Sequence, residues 1–132
     1  MISPHALVVD DDSSIRGTLR MMLEELGYAV AEAASAEQAL QRIASTQVAF
    51  RLIVTDFEMS GISGVALIRK VISVADGPPP VMVLFTGVDL ETDEIRALYL
   101  EVLDCYPVYF VAKGGNSNEL IYIFERVLSA GL

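Results

Sequence analysis

The sequence has one cysteine, Cys105, and few basic residues. A single cysteine cannot form a disulfide within the chain, which fits a reducing compartment. We expect Cys105 to act as a small hydrophobic residue near a strand rather than as a reactive thiol. Lysine and arginine number 9 against 18 acidic residues, so the formal net charge is -9. Because affinity for nucleic-acid phosphates depends on Lys and Arg, this balance argues against nucleic-acid binding through this domain.

The sequence also lacks a long apolar run. No stretch approaches the roughly 18 consecutive apolar residues that indicate a membrane span. The first residues, MISPHALVVDDD, contain no basic segment and reach acidic residues early, unlike a signal peptide. We therefore expect a cytoplasmic protein that has no membrane partner.

Apolar residues are plentiful enough for a core. The 132 residues are 53% hydrophobic and 20% charged, which suits one domain over residues 1–132. Short apolar segments alternate with segments of helical periodicity. Strands are predicted at 5–9, 28–34, 51–55, 81–86 and 108–112. Helices are predicted after Ser13, after Ser35, around 65–72, at 91–103 and at 117–129.

The strand segments are continuously apolar rather than alternating. Such strands indicate a parallel sheet covered by helices on both faces, an α/β fold. In these sheets, ligands bind outside the carboxyl ends of the strands. The residues that follow or end the predicted strands there are polar: Asp10, Asp11, Asp12, Asp56, Thr86 and Lys113.

The acidic strand ends suggest a metal site. If the first and third strands are neighbours, their ends lie about 4.8 Å apart, and Asp10, Asp11 and Asp56 converge. Carboxylates at that range repel one another, and a hard divalent cation such as Mg²⁺ offsets this repulsion through oxygen ligands. Lys113 adds a second positive charge. The alternative, a solvated acidic turn that caps the next helix, remains open for Asp12 or Ser13.

Four segments carry a resemblance to a known family: LVVDDDSSIR, LIVTDFEMSGISG, VLFTG and YFVAKG. They resemble the motifs of bacterial two-component response-regulator receiver domains of the chemotaxis-regulator type. The resemblance covers nearly the whole chain and keeps the order of the motifs. It implies a flavodoxin-like, doubly wound fold with five parallel strands in the order 2-1-3-4-5.

The resemblance implies a set of metal ligands for Mg²⁺ or Mn²⁺. Asp11 would bind the ion directly, and Asp10 would hold it through water or hydrogen bonds. Asp56 and the backbone carbonyl of Glu58 would complete the protein's share of the ligands.

The resemblance also implies phosphate chemistry. Asp56 would accept a phosphoryl group, Thr86 would donate a hydrogen bond to it, and Lys113 would pair with it. Phe110 falls at the position of an aromatic switch residue. The only histidine, His5, precedes the first strand at the opposite end of the sheet, so the phosphoryl group would come from a histidine kinase or histidine phosphotransfer protein.

Several residues depart from the usual pattern of the family. Ser60, Gly87 and Gly114 replace a common proline, alanine and proline. A cis peptide bond before a residue other than proline costs about 2.5–4 kcal/mol, so we expect a trans bond between Lys113 and Gly114. We expect Gly114 and Gly115 to absorb the altered turn through unusual φ values.

The segment between Thr86 and Lys113 is longer than usual in the family. It includes part of the face formed by the fourth helix, fifth strand and fifth helix, through which a receiver contacts its downstream protein. We expect an unidentified protein partner on this face.

Two other functions fit parts of the pattern. A haloacid-dehalogenase-like magnesium phosphohydrolase also uses a strand-end aspartate with an acid two residues later, here Asp56 and Glu58. In that family, however, the nucleophile strand comes before the acidic pair, whereas Asp10 and Asp11 precede Asp56. A receiver-like binding module without phosphorylation is the third possibility, against which Asp56, Asp11 and Lys113 argue. We expect a signalling domain rather than an enzyme.

Overall fold

The computed structural model describes residues 3–74, 77–87, 91–102, 106–115 and 117–130. This part of the chain forms alternating strands and helices, close to the predicted bounds. The strands are β1 (His5–Val9), β2 (Ala29–Ala33), β3 (Phe50–Thr55), β4 (Val81–Thr86) and β5 (Val108–Ala112). The helices are α1 (Ser13–Leu26), α2 (Ala36–Ser45), α3 (Gly64–Val74), α4 (Asp93–Val102) and α5 (Asn118–Ala130). Cys105 lies outside the described residues.

The strands form one parallel sheet in the order β2-β1-β3-β4-β5, which confirms the prediction. The central strands end in register, because Val9 pairs with both Ala33 and Thr55. Thr86 pairs in the same way with Ala112 at the other side of the sheet. The residues that follow these pairs therefore meet at one edge.

The core consists of two apolar layers, one on each face of the sheet. Leu7 and Val9 of β1 pack into the layer that includes the buried side chains of α2, α3 and α4. Ala6 and Val8 point the other way, into the layer beneath α1 and α5. This alternation along a strand that is buried on both faces explains its continuous apolar sequence.

Local capping fixes both ends of α1. The Asp12 carboxylate accepts hydrogen bonds from the backbone of Ser14 at 2.8 Å and of Ile15 at 3.4 Å. Asp12 is therefore the N-cap, and Ser13, the other candidate, is the first residue of the helix. Gly27 ends the helix at φ 110°, a left-handed conformation that costs glycine little.

Two side chains, one directly before β2 and one in β3, donate hydrogen bonds to backbone carbonyls of α5. The Tyr28 hydroxyl donates to the Phe124 carbonyl at 2.7 Å, and Arg51 Nη2 donates to the Val127 carbonyl at 2.6 Å. Burial raises the pKa of Tyr28 from 10.0 to about 12, partly opposed by the charge of Arg51.

Within the described ranges, no helix is both long and apolar enough to cross a membrane.

The raised pKa of Tyr28 predicts a loss of stability at alkaline pH. Above pH 10 the folded state keeps the hydroxyl proton of Tyr28, whereas the unfolded chain releases it. The contribution of Tyr28 to the free energy of unfolding is therefore complete below pH 10 and is lost as the pH rises towards 12. The free energy of unfolding should decrease by up to about 1.4 kcal/mol per pH unit from this group. Urea denaturation across this window should show a shallower decrease in Tyr28→Phe, and equal slopes would contradict the assignment.

Candidate functional site

The carboxyl edge of the sheet collects the predicted site residues. Asp10 follows β1, Asp56 follows β3, Thr86 ends β4, and Lys113 follows β5. Backbone hydrogen bonds continue the sheet pairing past the strand ends, from Asp56 N to the Val9 carbonyl at 3.0 Å and from Lys113 N to the Thr86 carbonyl at 2.7 Å. The sheet itself therefore fixes where these side chains start.

Three carboxylates converge at this edge. One oxygen from each of Asp10, Asp11 and Asp56 can be chosen so that all three lie within 4.8 Å of one another. Asp10 is 2% exposed and Asp56 is 8% exposed, whereas Asp11 faces solvent. Because Mg²⁺ prefers oxygen ligands and retains several waters, two sheltered carboxylates with one open side suit this ion.

Lys113 places a positive charge directly against two of these carboxylates. Its Nζ lies 3.0 Å from Asp10 Oδ2 and 3.3 Å from Asp56 Oδ2. Burial acts to lower the pKa of Lys113, but the hydrogen bond and charge of Asp10, together with Asp56, raise the pKa above its ordinary value. The ammonium also lies 5.8 Å from the centre of the Phe85 ring. Lys113 thus stays charged and offsets part of the carboxylate repulsion.

The remaining carboxylate oxygens are held by the backbone. Asp56 Oδ1 accepts from the Phe57 amide at 2.8 Å, and Asp10 Oδ1 accepts from the Asp12 amide at 2.9 Å. A cleft of about 580 Å³ opens over Asp56. Its lining consists of Asp11, Asp56, Phe57, Glu58, Met59 and Ser63. Asp56 is therefore both held in one orientation and reachable from outside.

The other predicted residues divide into two groups. Thr86 is fully buried at the end of β4, and Glu58 is exposed and lines the cleft beside Asp56. Phe110 lies two residues before the end of β5 and packs against α4, with its ring 5.7 Å from that of Tyr99. Phe110 is thus away from the carboxylates and belongs to the α4–β5 face.

The turn after Lys113 is built with one glycine. The described residues contain no cis peptide bond, so the bond from Lys113 to Gly114 is trans, as expected. Gly114 has a φ of 84°, in the left-handed region that favours glycine. Gly115 lies outside that region, so the expectation that both glycines share the unusual conformation was wrong. A single left-handed residue is enough to turn the chain here.

A doubly wound sheet with an acidic site at its carboxyl edge is shared with known signalling domains. The model of the response regulator receiver domain matches residues 6–124, and the chain belongs to this family. Its members are phosphoacceptor signalling domains of two-component systems. Neither the phosphohydrolase nor the phosphorylation-independent alternative is favoured by these matches.

Curated relatives support this membership. The chain is 36% identical to two-component response regulator ORR27 of Oryza sativa subsp. japonica, over 94% of the chain and 18% of that protein. It is 29% identical to aerobic respiration control protein ArcA of Escherichia coli (strain K12), over 98% of the chain and 50% of that protein. The chain thus spans half or less of the length of these relatives.

Solved structures share the fold. A CheY-like receiver domain from Methanospirillum hungatei JF-1 has a TM-score of 0.80 at 25% identity, covering 97% of this chain and 96% of that one. The response regulator TrrA from Thermotoga maritima, solved in complex with Mg(2+)-BeF, has a TM-score of 0.75 at 26% identity. The latter comparison covers 94% of this chain and 98% of TrrA.

Two residues with structural roles at the site were not recognised in the sequence. Gly64, the first residue of α3, lies so close to Asp56 that an added Cβ would overlap the Asp56 carbonyl oxygen. Its amide also donates to the Phe57 carbonyl at 3.0 Å. Arg16 of α1 donates through Nη1 to the Asp10 carbonyl at 2.7 Å. Both lie inside the motifs that carried the resemblance, but only the folded chain shows what they touch.

The contact at Gly64 predicts a sharp contrast between two glycine substitutions. Gly64→Ala forces α3 away from the Asp56 backbone and should destabilise the fold by about 2 kcal/mol, typical of overpacking. Gly17→Ala is the matched control, because Gly17 lies in α1 with open space around its Cβ position. The control should be neutral or stabilising by up to about 1 kcal/mol. Urea unfolding measures both, and a harmless Gly64→Ala would contradict the proposed close approach.

Proposed function

We propose that this domain accepts a phosphoryl group on Asp56, in the presence of Mg²⁺, from a histidine kinase or histidine phosphotransfer protein. The observation that carries this proposal is the convergence of Asp10, Asp11 and Asp56 with Lys113 at one sheet edge. These carboxylate oxygens can bind a cation, and the Lys113 ammonium can offset phosphate charge, which supports such a transfer.

Asp56 is suited to act as the nucleophile. Its backbone is held by Val9, its Oδ1 by the Phe57 amide, and its Oδ2 by Lys113. Such fixation lowers the entropic cost of bringing a carboxylate oxygen in line with phosphorus. Attack forms an O–P bond as the N–P bond of a phosphohistidine donor breaks, and the imidazole leaves with the electron pair. The product is an acyl phosphate on Asp56.

The proposed metal ligands are Asp10, Asp11, Asp56 and the carbonyl of Glu58. When bound, Mg²⁺ supplies positive charge that stabilises the transferring phosphoryl group. The Mg(2+)-BeF complex of the Thermotoga maritima relative supports this choice of ion. Mn²⁺ shares the preference for carboxylate, carbonyl and water ligands and is proposed as a substitute.

Two further residues are proposed to bind the phosphoryl group. Lys113 contacts both Asp10 and Asp56, so its ammonium can exchange a carboxylate partner for a phosphoryl oxygen with little movement. Thr86 ends the neighbouring strand and carries a hydroxyl that can donate to another phosphoryl oxygen. The added negative charge is thereby shared between these two side chains.

The output surface is proposed on α4, β5 and α5. Its exposed large side chains include Tyr99, Leu100, Tyr109 and Tyr122. Phe110 packs beneath Tyr99, so a change at Phe110 would alter the surface directly. We assign this face to a downstream protein.

The net negative charge and the single cysteine support a cytoplasmic domain. We propose that this domain binds neither nucleic acid nor membranes.

Substitution of the acceptor tests the proposal directly. Purified protein with Mg²⁺ and a small acyl-phosphate donor should take up one phosphate per chain, in an acid-stable and base-labile bond. Asp56→Asn should abolish this uptake, because the amide oxygen is a far weaker nucleophile. Mass spectrometry of the intact protein measures the outcome. Phosphate mapped to Asp11 or Asp12 would contradict the assignment, and steady turnover of a phosphate ester would favour the phosphohydrolase.

Two adjacent aspartates separate metal binding from helix capping. Asp11→Ala should weaken Mg²⁺ binding by at least about tenfold and leave the fold intact, because it removes a ligand and relieves carboxylate repulsion. Asp12→Ala should instead lower stability by about 1 kcal/mol through loss of the α1 cap, with Mg²⁺ affinity nearly unchanged. Calorimetric titration and urea unfolding measure the two effects. An unchanged titration for Asp11→Ala would contradict the proposed ligand set.

A further inference from the structure

We propose that Arg16 is a positioning residue for the metal site and that Glu32 holds it in place. This inference rests on the proposed function. It concerns the backbone rather than the carboxylates, because Arg16 contacts the carbonyl of Asp10 and not its side chain.

The first step is the peptide unit that Arg16 holds. Arg16 Nη1 donates to the Asp10 carbonyl at 2.7 Å, a short bond with a charged donor. That carbonyl belongs to the planar peptide between Asp10 and Asp11. Holding its oxygen therefore restricts the direction in which the chain enters Asp11. This peptide therefore sets where the Asp11 side chain leaves the backbone, beside Asp10 and Asp56.

The second step is the origin of Arg16's own orientation. Arg16 Nε donates to Glu32 Oε1 at 3.1 Å, so the guanidinium bridges β2 and the loop after β1. The carbonyl of Ala33, the residue after Glu32, accepts a hydrogen bond from the Asp10 amide at 3.1 Å. The end of β2 therefore holds Asp10 twice, directly through its amide and through Arg16 at its carbonyl.

The third step is the role of Arg20, one turn further along α1. Arg20 Nη1 donates to Glu32 Oε2 at 2.8 Å, and its Nε donates to Glu24 at 3.2 Å. Hydrogen bonds from Arg20 and Arg16 lower the pKa of Glu32, which keeps this carboxylate charged. In the described part of the chain Arg20 makes no hydrogen bond or ion pair with Asp10, and it binds a different oxygen of Glu32 from the one that Arg16 binds. It nevertheless shares the helix, the charge and the partner of Arg16. Arg20→Gln is therefore a matched control.

The sign of the effect separates positioning from simple charge. If Arg16 acted only through its positive charge, its removal would strengthen the attraction of the acidic group for a divalent cation. If Arg16 acts by holding the Asp10–Asp11 peptide, its removal weakens binding. The expected loss is roughly tenfold, as found when groups that orient metal ligands are removed.

The experiment compares Arg16→Gln, Glu32→Gln and Arg20→Gln in the whole chain. Titration with Mg²⁺ alone should give a dissociation constant about tenfold higher for Arg16→Gln, higher also for Glu32→Gln, and within about twofold of the parent for Arg20→Gln. An unchanged or lower dissociation constant for Arg16→Gln would overturn the inference. So would an equal increase for Arg20→Gln, which would indicate a general effect of α1.

A second measurement needs no metal. The Asp12 amide donates to Asp10 Oδ1, so its hydrogen exchange reports the order of this loop. Exchange in the metal-free protein should be several-fold faster in Arg16→Gln and unchanged in Arg20→Gln. Equal exchange in all variants would overturn positioning even if Asp56 is phosphorylated normally. Failure of the parent protein to bind Mg²⁺ would overturn the proposed function and, with it, this inference.

Discussion

The repulsion among Asp10, Asp11 and Asp56 is the constraint around which the site is arranged. Three carboxylates within 4.8 Å raise the free energy of the folded chain unless positive charge lies nearby. Lys113, which follows β5 at the same edge of the sheet, supplies that charge at 3.0 Å from Asp10 and 3.3 Å from Asp56. Three carboxylates against one ammonium leave an excess of negative charge, which the proposed divalent cation would offset.

Keeping these charges together requires a rigid frame. The parallel register brings the ends of β1 and β3 side by side, and two apolar layers fix the sheet from both faces. Gly64 lets α3 approach the Asp56 backbone, while Arg16 holds the peptide after Asp10. Asp10 and Asp56 therefore cannot relax their repulsion by moving apart, because hydrogen bonds hold both their backbone and their carboxylates.

The same frame connects the site with the proposed output face. Ser63 lines the cleft over Asp56 and donates to Glu94 of α4 at 3.2 Å. Arg69 of α3 pairs with Glu101 of α4 at 2.9 Å, but both side chains are substantially exposed. Exposed pairs of this kind contribute little stability, on the order of 0–1 kcal/mol. This ion pair therefore contributes little to holding α3 against α4, whose buried apolar side chains share one core layer.

Sequence reasoning was sufficient for the class of fold and for the residues at the strand ends. Continuous apolar strands and helical periodicity are local signals, and Asp10, Asp56, Thr86 and Lys113 follow directly from where strands stop. The strand order came from resemblance, since periodicity does not say which strands pair. Only the tertiary structure decided that Gly64 must lack a side chain, that Arg16 holds the Asp10 carbonyl, and that one glycine suffices after Lys113. Those features depend on distances between separate segments, which no local pattern records.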